Sequence, residues 1–296
     1  MARFLRTHPP LMLFSLLMAA LTVVSLGGLI IDDRILVGSP IWFKPFKFAV
    51  SLGLYGVTLA WMLTRTTRWR RAGWWAGTVV AVAGTAEMAV IVGQVLRGRR
   101  SHFNVATPLD GQLWQLMAVT IVTLWAMHAV IAVVLALSRF TDRAAGLSIR
   151  LGLLLSLVGL GLGFLMTSPA PGQDDDAGVV GAHSVGAPDG GPEMALTGWN
   201  TAAGDLRVPH FVGLHALQVL PLLVALFGRR ATPKLSWGLA IGYAGLMALV
   251  TWQALRGQAP LRPDLPTALG ALAVVTWTAA VVARTLRGTE KERVAA

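Results

Sequence analysis

Eight stretches of about 20 residues, each almost free of charge, recur along the 296-residue chain. They cover 11–31, 46–63, 74–96, 112–137, 147–167, 208–227, 235–255 and 267–285. A helix of about 20 residues spans the roughly 30 Å hydrocarbon layer of a bilayer. Inside that layer only helices and closed barrels satisfy their own backbone groups. The pattern therefore predicts an all-α fold, a polytopic membrane helix bundle with eight transmembrane helices. Composition agrees: 55% of residues are hydrophobic and 13% charged, about half the charge of a soluble domain. An ordinary soluble enzyme and a disordered chain are both excluded.

Arg3 and Arg6 precede the first stretch, as in a signal peptide. Its apolar run exceeds the roughly 7–15 residues of a signal core and no small-x-small cleavage site follows, so it reads as a retained helix. With the N-terminus inside, the inner segments hold 15 Lys and Arg and the outer ones nine, whereas ten acidic residues lie outside and three inside. The positive-inside rule then places both termini in the cytoplasm of a multi-pass cell-membrane protein. The net charge of +11 belongs to these loops, where it meets anionic lipid. It does not point to nucleic acid. The absence of cysteine removes disulfides, thiolate nucleophiles and Cys-ligated metals.

Two stretches repeat at one offset. Arg70-Arg71-Ala72 recurs as Arg229-Arg230-Ala231, and Gln94-Val95-Leu96-Arg97-Gly98 as Gln253-Ala254-Leu255-Arg256-Gly257, both 159 residues on. The expectation is an internal repeat, a tandem duplication of a four-helix unit. It predicts an N-terminal half, 1–145, and a C-terminal half, 146–296, the latter including an outward loop at 168–206. An even-numbered unit keeps its orientation, so the halves are expected to be related by an axis along the membrane normal. The loop is rich in Gly, Pro and Asp and carries Asp174-Asp175-Asp176. A loop this long without secondary structure is functional or disordered.

Ionisable groups inside a bilayer are costly and mark function by default. Glu87 sits about 14 Å from the outer end of the third stretch. The 159 offset pairs it with Leu246, so the repeat does not require it. The sixth stretch opens with Gly204-Asp205-Leu206-Arg207-Val208-Pro209-His210, then runs Phe211-Val212-Gly213-Leu214-His215-Ala216-Leu217-Gln218. His215 lies about 11 Å deep, near the level of Glu87, and His210 near that of Gln94. These depths predict one outer pocket lined by Glu87, Gln94, His210, His215 and Gln218. Glu87 and His215 are its candidate catalytic groups. Gln94, Arg97, His102, Asn104, Asp205, Arg207 and Gln218 are candidate substrate contacts. Arg97, Arg99 and Arg100 oppose the positive-inside trend, so they are expected to bind an anionic small molecule or lipid headgroup, or to pair with the Asp cluster. Lys44 and Lys47 snorkel to the same interface.

His210 and His215 are the candidate metal ligands. They lie five residues apart, about 140° round a helix, whereas two ligands on one helix usually lie four apart. A divalent ion held by His and Glu is the cofactor these side chains allow. Haem fits less well, because His128 lies some 13 Å below His215 and axial ligands share one depth. His128 reads as a hydrogen-bonded bundle residue.

The run Gly204–Leu220, with Arg97–Asn104 and Trp42–Ser51, resembles an uncharacterised bacterial multi-pass membrane protein family. The resemblance implies topology and no mechanism. Two four-helix halves are also similar to haem A synthase in architecture, but its Glu-x-x-His motif and matched histidines are absent. Three function classes follow. A membrane-embedded enzyme acting on a lipid-like or anionic small molecule leads, because the polar groups cluster on one side. A proton-coupled transporter comes second. A haem or quinone redox protein comes third.

Overall fold

The structure, a computed structural model, describes residues 7–168 and 178–294. The Asp174-Asp175-Asp176 cluster lies outside the described residues. The chain is an all-α bundle of nine described helices with two short antiparallel strand pairs. In order these are α1 (Pro9–Ile31), β1 (Ile35–Leu36), β2 (Ser39–Pro40), α2 (Phe43–Leu63), α3 (Arg70–Leu96), α4 (Pro108–Ala136) and α5 (Arg143–Leu162). A 3-10 turn, Gly163–Thr167, extends α5. There follow β3 (Ser184–Val185), β4 (Gly204–Asp205), α6 (Arg207–Leu214), α7 (Ala216–Leu226), α8 (Pro233–Leu255) and α9 (Leu265–Val294). Seven spans are long and apolar enough to cross a membrane, and the bent pair α6–α7 makes an eighth.

Helix starts follow the local chemistry. Pro108 and Pro233 occupy first-turn positions where a missing N–H costs nothing. Thr107, Asp142 and Thr232 accept the backbone N–H three residues on, each satisfying one of the orphan donors at a helix start. At α1 the cap is His8: Nδ1 accepts from the Leu11 N–H at 3.3 Å. Nε2 lies 2.9 Å from the Trp74 carbonyl. A carbonyl only accepts, so Nε2 carries the proton and the ring is neutral. Burial, the largest cause, holds its pKa below the ordinary 6.5. A lowered histidine pKa means that the contribution is present above the ordinary value and lost as pH falls below it. Acidification from about pH 7 to about pH 5 is therefore expected to weaken protection of the Leu11 amide, read by hydrogen exchange corrected for its intrinsic pH dependence. Constant protection would remove His8 from the cap.

The chain divides into two compact units. Of the described residues, the first holds 7–138, 166–168, 178–182 and 188–198, and the second 139–165, 183–187 and 199–294. The division falls seven residues before the expected 145, ahead of the α5 cap. Much of the described part of the long loop, expected with the second half, belongs to the first. In the first unit α1 packs on α2 and α3 on α4, around a core that includes Leu11, Met18, Tyr55, Leu59, Met88, Met117, Ile131 and Leu135. In the second, α5 packs against α6, α7 and α8 around Leu151, Leu220, Val224, Leu235 and Leu239, and α9 lies along α8.

The sixth stretch, expected as one helix, is bent by 46° at His215. His215 has ψ near 0°, in the bridge region between helix and strand. The freed carbonyls find partners on neighbouring helices: Ser156 donates to Leu214 O at 2.9 Å and Tyr243 to Val212 O at 2.6 Å. Close approach permits this. A Cβ on Gly159 would lie 2.2 Å from the Gly213 carbonyl carbon, so α5 and α6 cross in backbone contact, as small residues allow in membranes.

The repeated Gln-x-Leu-Arg-Gly segments end α3 and α8 in the same way. Gly98 and Gly257 both have left-handed backbone, φ +69° and +72°. Arg99 N–H donates to Gln94 O and Gln258 N–H to Gln253 O, while Gly98 and Gly257 donate one turn back, a Schellman ending. Each arginine then pairs with an aspartate at the start of the next helix, Arg97 with Asp110 at 2.9 Å and Arg256 with Asp264 at 2.6 Å.

Candidate functional site

Glu87 projects from the buried face of α3 and is 1% exposed. Thr120 of α4 donates to Glu87 Oε2 at 2.8 Å. The same hydroxyl lies 2.9 Å from the Met117 carbonyl. Glu87 Oε1 is buried without a hydrogen bond. The His102 Nε2 is 3.3 Å away, close enough for charge pairing but out of line for a hydrogen bond. His102, in the α3–α4 loop, keeps 14% of its side chain exposed. It is ringed by Phe48, Phe103 and Trp114, with centroids 5.5, 5.9 and 5.9 Å away.

His102 is held there by a strained loop. Phe103 has φ +61°, a region that costs a non-glycine residue roughly 1–2 kcal/mol. Its carbonyl accepts from Val180 N–H at 2.8 Å, and Val105 N–H donates to Gly178 O at 2.8 Å. Asn104 bridges Val179 in an antiparallel pair. Asn104 also donates to Arg100 O and accepts from Ala106 N–H. Asn104, expected to touch substrate, braces the loop. The long loop, expected without secondary structure, supplies this clamp and the β3–β4 pairing.

Two to three turns from the carboxylate site, Asp110 gathers Gln94, Arg97, Arg99 and Thr107. It is fully buried. Its Oδ1 accepts from Gln94 at 3.0 Å and Arg97 at 2.9 Å, and its Oδ2 from Arg99 at 3.0 Å and Thr107 at 2.7 Å. The arginine partner is thus Asp110. Two guanidiniums against one carboxylate leave a net positive rim.

In the second unit, buried Asp205 holds Arg207 through 2.6–3.1 Å contacts and accepts from Asn200 N–H at 2.7 Å. Asn200 in turn accepts from Ala202 and Ala203. Asp205 and Arg207 fix the turn that starts α6. His210 Nδ1 lies 2.9 Å from Gly159 O. His215 Nδ1 lies 3.3 Å from Gln218 Oε1, and Gln218 Nε2 is buried without a hydrogen bond.

The residues expected to share one pocket have these partners within their own units. Glu87 and Gln94 find theirs in the first unit, on His102, Thr120 and Asp110. His210, His215 and Gln218 find theirs in the second. Among the described residues no group of three or more His, Asp or Glu could hold a metal ion.

Sequence reasoning missed Thr120, Trp114 and Asp110. Thr107-Pro108-Leu109-Asp110 before an apolar run is a capping-box signature and marked the last. It also left unpaired the buried contact of Tyr55 with His128, 2.8 Å from hydroxyl to Nδ1. Comparison with known proteins adds nothing to this geometry: no family model, curated protein or solved structure matches the chain.

Proposed function

We propose that this is a membrane-embedded enzyme in the cell membrane, with both termini cytoplasmic, that performs acid–base chemistry at Glu87 and His102. The substrate class is a lipid-like or anionic small molecule. One observation carries the reading: a carboxyl group buried in a candidate span, with one oxygen on Thr120, the other without a hydrogen bond, and an imidazole 3.3 Å away. Thr120 has one hydroxyl proton and two acceptors within reach. A protonated Glu87 satisfies both contacts, donating to Thr120 while Thr120 donates to Met117. An ionised Glu87 satisfies one. His102, partly exposed, carries protons between this carboxyl group and water. The aromatic wall suits an apolar substrate body. The net positive Arg97–Arg99 rim, about 10–15 Å along α3, suits an anionic head.

The matched helix endings support descent from a duplicated four-helix unit. The repeat puts Leu246 opposite Glu87, so the chemistry belongs to the first unit. The break at His215 favours a second reading, proton-coupled transport, because interrupted spans build transporter sites.

Glu87→Gln keeps the shape of the neutral acid and removes its proton transfer. Membranes of cells producing the protein, compared with those of Glu87→Gln at matched folded level by mass spectrometry of lipids and small molecules, should show species turned over by the wild type alone. The expected loss in rate is about 10²–10⁴-fold. Identical profiles, or an equally active Gln variant, would overturn the enzyme reading.

A further inference from the structure

We infer that Glu87 has a second proton route besides His102, running through the first unit itself by way of the buried Tyr55–His128 pair. The inference rests on reading Glu87 as an acid–base group. Tyr55 of α2 and His128 of α4 are 2% and 0% exposed, with rings stacked at 5.9 Å and 16°. The chemistry at Glu87 and His102 does not use them. Along α4, His128 lies eight residues from Thr120, the contact of Glu87, and eight from the last helical residue, Ala136. Each step is about 12 Å. Titratable groups therefore punctuate the unit from the His102 rim, through Glu87 and His128, toward the opposite end.

One ring, Phe14 of α1, packs close to residues beside each station. A Cβ on Gly84, three residues from Glu87, would lie 2.7 Å from Phe14 Cζ, and one on Gly56, next to Tyr55, would lie 3.1 Å from Phe14 Cδ1. Phe14 of α1 thus packs against Gly84, one turn from Glu87, and beside Gly56, where Ser15 Oγ lies nearer still, so the ring stands between the level of the carboxyl and that of the Tyr–His pair. With the ring in place the step is dry. With the ring displaced, a file of about four waters at hydrogen-bond spacing bridges it. One proton then moves. His128 passes from imidazolium to imidazole and Glu87 from carboxylate to acid, and no other bond forms or breaks. Phe14 is the gate, and Tyr55 positions the imidazole.

The test uses proteoliposomes of the full chain with a trapped pH-sensitive dye and a potassium diffusion potential set by valinomycin. Wild type should take up protons faster than protein-free vesicles. His128→Gln should fall to the protein-free rate, and Phe14→Leu should rise several-fold. Tyr55→Phe, which keeps the ring and loses the hydroxyl, should be at least tenfold slower and reads the same pair if His128→Gln does not fold. Modification of Glu87 by a hydrophobic carbodiimide, read by peptide mass spectrometry, should be unchanged in His128→Gln. Wild-type uptake at the protein-free rate, or full uptake in the His128 and Tyr55 variants, would overturn the path while leaving a labelled Glu87 intact. An unlabelled Glu87 in every chain would instead remove the acid–base reading beneath it.

Discussion

Asp110→Ala is expected to cost about 3 kcal/mol of stability, the lower end of the range for breaking a buried ion pair. The carboxylate is fully buried and accepts from four side chains on α3, the loop and the α4 cap. Its removal leaves Gln94, itself fully buried, with an unmatched amide. It also releases two guanidiniums that lie side by side. The cost stays at the lower end because Arg97 and Arg99 are 34% and 44% exposed and water recovers part of their solvation. Asp110→Asn retains the shape and should lose about 1–3 kcal/mol. Asp264→Ala, at the matching helix start, should lose far less, since that pair is exposed. Thermal unfolding in one detergent ranks the three. Equal midpoints for Asp110→Ala and Asp264→Ala would show that burial does not separate the two clamps.

Gly159→Leu is expected to abolish folded protein. Even a methyl there runs into the Gly213 Cα and carbonyl carbon and the Leu214 nitrogen, and backbone cannot yield as a side-chain tip can. Overpacking costs 1–3 kcal/mol or more when neighbours can shift; here the α5–α6 crossing itself must open. That crossing positions Ser156 and His210, whose bonds hold the bend at His215. Ser156→Ala should keep the fold and loosen the bend, seen as faster exchange at Leu217 and Gln218. Gly159→Leu protein of normal yield and melting temperature would contradict the packing described.

The spans were legible because apolar length is local information. All eight stretches fall on described helices, most within four residues at each end, and the ends that moved did so at caps and prolines such as Thr107-Pro108. The bend at His215 was not legible. Its partners, Ser156 and Tyr243, stand 59 residues before and 28 after it, and a span reads as continuous until neighbours take its carbonyls. Glu87 stood out as a carboxyl among apolar residues. Its partner His102 did not, because the approach depends on a left-handed Phe103 and on residues 178–180, some 75 positions further along. Depth alone suggested His215, which measures position along the membrane normal and says nothing of which helices are neighbours. The arginines 97 and 99 looked unpaired for a related reason. Their aspartate sits in the next helix cap, where it also reads as a cap residue.

The central claim is that Glu87 is a buried acid that exchanges its proton through His102. Modification by a hydrophobic carbodiimide tests it most directly. The reagent takes the acid proton on nitrogen while the carboxyl oxygen adds to its central carbon, and rearrangement leaves a stable acylurea on the glutamate. Only a protonated carboxyl in an apolar setting reacts this way. Peptide mass spectrometry of the full chain in vesicles should show the adduct on Glu87, with a rate that falls as pH rises, and a pH dependence displaced in His102→Gln. An unmodified Glu87, or a rate indifferent to both pH and His102, would contradict the account.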